Sequence, residues 1–252
     1  MKIFLLLASL LLLTACQGAE QATTTTTTSS STEESISQTK ASSQSSSSTD
    51  SSDTDTAMDE LLAYYPKETF PLPNAVNSDN QLAMFATESN GVLTVFYYLV
   101  EEPVPLNDPR LVDKEPIAQF QRMILSSKEA AREEVAPAYD PSGEKIDLGS
   151  SITATQQKEE DSDYLNWKKN AWNFLIRSDE DQKELIPLAK EAAAFLEKVQ
   201  LPVPHDVGQV TLRVNGFEYD RNMVVWQKDN VVYKTKNIEP MGSLRMAASM
   251  NR

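Results

Sequence analysis

Residues 17–56 of this 252-residue chain consist of Ser, Thr, Gln, Asp and Glu with almost nothing apolar, including the run TTTTTTSSSTEESISQTKASSQSSSSTDSSDTDT. A segment of that composition cannot bury enough surface to offset its conformational entropy, so it reads as disordered. Whatever folds must therefore fold from residues 57–252, where aromatic and aliphatic residues return in patterned runs. That length is enough for one sizeable core. As a flexible coil, the tract would span roughly 35 Å on average and reach roughly 130 Å fully extended. Those are the dimensions of a tether.

The segment before the tract explains what the tether would hold. Met1-Lys2 supplies a positive charge, Ile3–Leu13 a short apolar core, and Thr14-Ala15 small residues. This is the layout of a secretory signal peptide over residues 1–15. Its core is too short to span a bilayer, which takes about 20 apolar residues. Cys16, the only cysteine, follows at once. A thiol at the first exported position is a nucleophile that lipid can alkylate. The tetrad Leu13-Thr14-Ala15-Cys16 resembles the lipobox of bacterial lipoproteins at all four positions. The resemblance implies that Cys16 carries diacylglycerol and becomes the mature N-terminus, and that the protein sits on the extracytoplasmic face of the cell membrane. Two acyl chains anchor stably where one does not, at about 0.8 kcal/mol per buried methylene. A long Ser/Thr tract after a lipobox is similar to surface lipoproteins of Gram-positive bacteria. With Cys16 so used, no disulfide is available and the domain must hold by packing alone.

The net charge of −14 argues against nucleic acid as a partner, since such proteins need a basic face. It equally argues against a basic patch for anionic headgroups.

Strand patterns fall at 82–87 and 92–100 around Asn90-Gly91, a strong hairpin turn, and at 152–157, 171–177 and 209–214. A second hairpin, 223–227 with 231–235, turns at Lys228-Asp229-Asn230 and sets Trp226 and Tyr233 for cross-strand pairing. Apolar residues at Leu185, Leu188, Ala189, Ala192, Phe195, Leu196 and Val199 form a helical stripe over 181–199, with Ser178 as its cap. Ile117, Phe120, Ile124, Ala131 and Val135 suggest a helix over 117–135, and a short helix follows Pro240. Strands in hairpins with helices between them predict an α+β domain over 57–252: an antiparallel sheet with helices packed on one face.

Motifs for chemistry are mostly missing. His205 is the only histidine, in the loop LPVPHDVG, and its neighbour Asp206 would point away from it on an extended chain. One histidine and no free cysteine leave no zinc site of the usual ligand types, and no cofactor or metal is expected. There is no Gly-x-Ser-x-Gly, no Walker loop and no Gly-x-Gly-x-x-Gly. Ser37-Gln38-Thr39-Lys40 matches Ser-x-x-Lys only within the tether, and Lys234-Thr235-Lys236 lacks the glycine of the partner motif. The acidic run 158–163 breaks the calcium-loop spacing at Tyr164 and Trp167. Trp167, in a polar sequence context, is the candidate for an exposed binding contact.

The stretch MVVWQKDNVVYKTKNIEPMGSLRMAASM resembles the end of an extracytoplasmic domain of unknown function common in Gram-positive bacteria (the DUF4367 type). The shared layout is Trp, a polar turn, Tyr, then a helix with Leu and Ala-Ser. Asp229-Asn230 stands where that family usually has glycine. The resemblance implies a sensing or binding module and carries over no functional residue. The expectation is a non-enzymatic, lipid-anchored envelope module with no catalytic residues, whose partner is an envelope protein or wall polymer. The alternatives are an enzyme acting on wall polysaccharide and a folding or assembly factor. The leader fragment SLLLLTA also resembles lipoprotein-derived peptide pheromones.

Overall fold

The computed structural model describes residues 54–78, 80–179, 182–215 and 218–251. The signal peptide, the lipobox Leu13-Thr14-Ala15, Cys16 and nearly all of the tether lie outside the described residues. Thr54–Thr56, placed in the tether by composition, already form the first turn of α1 (Thr54–Tyr64).

Ten strands form one continuous sheet: β1 (Leu82–Ser89), β2 (Val92–Leu99), β3 (Ala118–Ile124), β4 (Glu144–Gly149), β5 (Ile152–Lys158), β6 (Asp163–Lys169), β7 (Trp172–Ser178), β8 (Gly208–Arg213), β9 (Asn222–Lys228) and β10 (Val231–Asn237). Their spatial order is β1-β2-β3-β10-β9-β8-β7-β6-β5-β4. All neighbours are antiparallel except β7 and β8, which the crossover helix α4 (Leu185–Lys198) connects. The other helices are α2 (Pro73–Val76), α3 (Lys128–Val135) and α5 (Pro240–Ser249).

Four tight hairpins follow from local chemistry. Asn90 and Gly91 (φ 52° and 77°), Ser150 and Ser151 (56° and 57°), Asn170 (55°) and Asp229 (55°) take left-handed backbone at the turns. Asn, Asp and Gly tolerate that region, and two-residue turns with positive φ match the right-handed twist of the arms.

Alternation sorts the side chains into two faces. Trp167, Phe174, Ile176, Val210, Leu212, Val224 and Trp226 pack with Leu185, Ala189, Ala192 and Leu196 of α4 and with Leu244 and Ala247 of α5. Leu82, Met84, Val95, Tyr97 and Phe120 extend this face under Leu61 of α1 and Met246 of α5. Trp226 and Tyr233 are cross-strand partners with stacked rings 5.3 Å apart.

The other face has its own cover. Ala131 and Val135 of α3 pack on Val225 and Val232, which alternate with the inward Val224, Trp226 and Tyr233. Helices on a single face were expected; α3 packs on the opposite face from α4 and α5. The expected helix over 117–135 is corrected as well. Residues 118–124 are the strand β3, paired on both sides, and only 128–135 are helical. Ala118 and Phe120 alternate with Gln119 and Gln121, a period of two that the i, i+3, i+7 spacing of larger apolar residues masks. Ser127 then starts α3, its Oγ accepting from the Ala130 N–H. Ser178 does not cap α4: it ends β7, and one 3₁₀ turn (Gln182–Glu184) precedes the helix.

Candidate functional site

The face that carries α3 differs chemically from the core face. Along the strands it presents Thr94, Gln119, Gln121, Lys234, Lys236, Met223, Gln209, Thr211, Asn173, Asn166 and Thr155, as the registers require. Several of these polar residues are nevertheless buried, including Thr94, Gln119, Gln209, Asn173, Asn166 and Thr155. Buried amides and hydroxyls need partners, so each reports on what lies above it.

Over β8, β6 and β5 the cover is an extended strap, residues 136–143. Ala136 leaves α3 with left-handed backbone (φ 47°). The Ala138 N–H then donates to Gln209 Oε1 (2.8 Å) and the Asp140 N–H to Asn166 Oδ1 (3.1 Å). Thr155 Oγ1 donates to the Asp140 carbonyl (2.9 Å), and Gln157 Nε2 to Asp140 Oδ2 (2.6 Å). Hydrogen bonds from Ser142 and Gln157 hold the Asp140 carboxyl below the usual carboxylate range. Gly143 (φ +106°) delivers the strap into β4; a Cβ there would sit 2.1 Å from the Gln156 carbonyl oxygen. Every strap residue is exposed, so the strap covers the sheet by hydrogen bonding rather than by apolar burial.

Two further elements bound the region over β2, β3 and β10. On one side Glu134 of α3 pairs with Lys234. On the other, Leu111 and Val104 of the 100–117 loop pack on Ala83, Phe85, Phe96 and Tyr98. Asp108 caps that loop's 3₁₀ turn by accepting from the Arg110 N–H and side chain. These bonds lower the Asp108 carboxyl to about 2. Between these covers runs a polar strip, the trough, of Thr94, Gln119, Gln121, Lys234 and Lys236, in which Thr94 and Gln119 are buried and the other three half-buried. Gln121 Nε2 donates to Thr94 Oγ1 (3.2 Å). Burial, with the charge of Lys234 adding to it, lowers the Lys236 ammonium from its ordinary value, against the opposing pull of Asp220.

Trp167 does not make the expected exposed contact. It is 1 % exposed and stacks on Phe174 at 4.8 Å and 3° inside the core. Alternation along β6 turns it inward, although the residues around it in sequence are polar. His205 is exposed. Its ring nitrogens lie 3.8 Å from Asp206 Oδ1 and 3.8 Å from Asp229 Oδ1, beyond hydrogen-bond range. Asp229 is instead paired with Lys128 at 2.8 Å, which lowers its pKa. Among the described residues no group of three or more His, Cys, Asp or Glu is placed to hold a metal ion, and no helix is long and apolar enough to cross a membrane.

Clefts open elsewhere among the described residues. One of about 370 Å³ lies between the end of α4, the β6–β7 turn and the segment 199–204. There Trp172 Nε1 donates to the Pro202 carbonyl (3.2 Å) and Lys169 Nζ to the Leu196 carbonyl (2.9 Å). A second, of about 420 Å³ between α4 and α5, gathers Glu184, Glu191 and Glu239. All three are exposed, and Glu239 pairs with Arg245. A third, of about 630 Å³, is lined by the 100–114 loop and the end of β2. The trough residues were missed in the sequence because a lysine or glutamine on an alternating strand reads as a solvated face; only the repeat of Gln119-x-Gln121 opposite Lys234-x-Lys236 could have marked them. No protein-family model matches this chain, and neither a curated protein nor a solved structure matches it.

Proposed function

We propose that this chain is a lipid-anchored module on the extracytoplasmic face of a bacterial cell membrane that acts by binding, not catalysis, through the second face of its sheet. The observation that carries this reading is the polar trough: buried and half-buried side chains able to donate and accept hydrogen bonds, set on strands between two covering elements. Sites built on strands hold their geometry better than sites on loops. The anchor and reach come from the sequence. Cys16 bears the diacylglycerol, Leu13-Thr14-Ala15 direct its processing, and the Ser/Thr tract carries the domain outward to an envelope protein or wall polymer. No cofactor enters this reading.

Two experiments test it. Cys16→Ala removes the acylated sulfur, and the variant is expected to leave the membrane fraction; equal membrane recovery of variant and wild type would sink the anchoring claim. A photo-crosslinking residue at Gln121, on the trough floor, is expected to capture an envelope component in cells, while one at Glu191 on α4 is not. The reverse pattern would move the binding surface to the helical face.

A further inference from the structure

Six cations project from the strands onto the second face, and five are engaged. Lys234 pairs with Glu134, Arg177 and Arg213 share Asp179, Lys145 donates to the Pro141 carbonyl, and Lys168 lies 4.3 Å over the Tyr139 ring. Lys236 alone has neither ion pair nor hydrogen bond among the described residues. It is half-buried on β10, between its cross-strand neighbours Gln119 and Met223. Gln119 is itself 8 % exposed, and its amide makes no hydrogen bond among the described residues. Lys234 projects on the same face about 7 Å further along the strand.

This is an unusual place to leave an ammonium unpaired. The chain carries 37 carboxylates against 23 Lys and Arg, so a paired position would be easy to find. Burying a cation without a partner is costly. The nearest strong influence, Asp220 in the β8–β9 loop, acts through its field without forming an ion pair. Among the described residues no carboxylate forms an ion pair with Lys236, and Asp220 acts on it only at a distance, so the half-buried ammonium is open to an anion from outside.

We propose that Lys236, with the Gln119 amide beside it and Lys234 behind it, forms a binding site for an oxyanion, a phosphate or carboxylate group on the module's ligand. The site rests on the reading of the second face as the binding surface and gives that surface its chemistry. Lys236 supplies a point charge, as lysines do for phosphate. The Gln119 amide donates a hydrogen bond. Glu134 keeps Lys234 from collapsing onto the same anion and sets the negative rim that excludes a second one.

Lysine acylation footprinting of the full lipidated chain in detergent tests this at residue resolution. Inorganic phosphate, sodium acetate and sodium chloride are compared at matched ionic strength. The expected result is that phosphate or acetate slows acylation of Lys236 relative to chloride, while exposed Lys114 and Lys190 do not change. Protection by phosphate alone assigns a phosphate group, and by acetate alone a carboxylate. In calorimetry with the protecting anion, Lys236→Met is expected to weaken binding about tenfold, the scale of one charge-assisted hydrogen bond, and Lys236→Arg to retain it. Equal acylation of wild-type Lys236 in all three salts would overturn the proposal, whatever the variants do. Failure of the parent reading looks different: anion protection would persist while the Gln121 crosslinker captured nothing.

Discussion

Asn237 and Gly242 offer the sharpest test of how the helices are held to the sheet. Asn237, at the end of β10, is 1 % exposed. Its Nδ2 donates to the Val76 carbonyl of α2 (3.0 Å), and its Oδ1 accepts from the Glu239 N–H (2.8 Å) at the start of α5. One side chain thus joins α2, β10 and α5. Removing it with Asn237→Ala deletes these two hydrogen bonds and a weaker one from Nδ2 to Met246 Sδ (3.5 Å), and leaves a buried carbonyl and a part-buried N–H without partners. At about 1 to 2 kcal/mol for each bond and orphaned group, the loss is about 3 kcal/mol. In a domain of this size, each kcal/mol shifts Tm by about 2–4 °C, so Tm should fall by about 6–12 °C.

Gly242 makes the prediction stricter. A Cβ at Gly242 would lie 2.5 Å from Asn237 Cγ, 2.6 Å from Oδ1 and 2.8 Å from Nδ2. Gly242→Ala alone should therefore cost about 1–3 kcal/mol through overpacking, offset in part by the ~1 kcal/mol that alanine adds to helix propensity. In the Asn237→Ala background the three clashing atoms are gone, and the new methyl enters the vacated space. There Gly242→Ala should be neutral or stabilising. Urea unfolding of the two single variants and the double variant measures the coupling directly. If the two losses simply add, the assigned packing is wrong, because contacting residues must couple.

Gly208 is the strand partner of Trp172, and a Cβ there would meet the indole at 2.4 Å. Gly208→Ala should therefore destabilise by about 1–3 kcal/mol and shift tryptophan emission as Trp172 leaves the Pro202 carbonyl. The Arg122 guanidinium, 7 % exposed, bridges Glu68 (3.1 Å) and Glu88 (2.9 Å), tying the segment after α1 to the sheet. Since Glu88 is half exposed, Arg122→Met should cost only about 2 kcal/mol, less in high salt, by denaturant unfolding at two ionic strengths. Asp108 is held near 2 by Arg110, against 3.8 ordinarily. A depressed carboxylate contributes stability that is fully present above its unfolded pKa and is lost as pH falls through its folded one. A carboxyl carbon titration should thus place the Asp108 midpoint near 2, and Arg110→Met should return it toward 3.8.

Much of the sheet is written in local chemistry. Asn90-Gly91 and Asp229-Asn230 announce their hairpins, and Trp172, Phe174 and Ile176 alternate onto one face as period-two residues must. What failed did so where two periods compete. Phe120 and Ile124 sit four apart and look helical, but Ile124 is half exposed at the end of β3, and the residues between pair with β2 and β10. Strands β4 and β6 escaped notice because EKIDLG and DYLNWKK each carry three charges and few of the β-branched residues that mark a strand. Lys145, Asp147 and Lys168 fall on the second face, while Asp163 and Lys169 sit at the two ends of β6 on the core face, and local propensity cannot weigh pairing with strands far away in sequence.

The site was illegible for a related reason. Polar residues on an alternating strand imply water above them unless something else covers the sheet. Here the cover is α3 and the strap, brought over β8, β6 and β5 by the left-handed turn at Ala136 and the glycine at 143. Because strap residues are exposed while Gln209, Asn166 and Thr155 beneath them are buried, the strap behaves like an extended peptide already laid across the sheet. Its backbone N–H groups are read by side-chain amides on the strands. The neighbouring trough repeats that floor of amides and hydroxyls in Thr94, Gln119 and Gln121, with lysines added and the β8–β9 loop close enough for Asp220 to act on Lys236. The same face thus shows, in the strap, how it holds an extended polar chain. In the trough it keeps the same kind of groups with a charge that only an anion would complete.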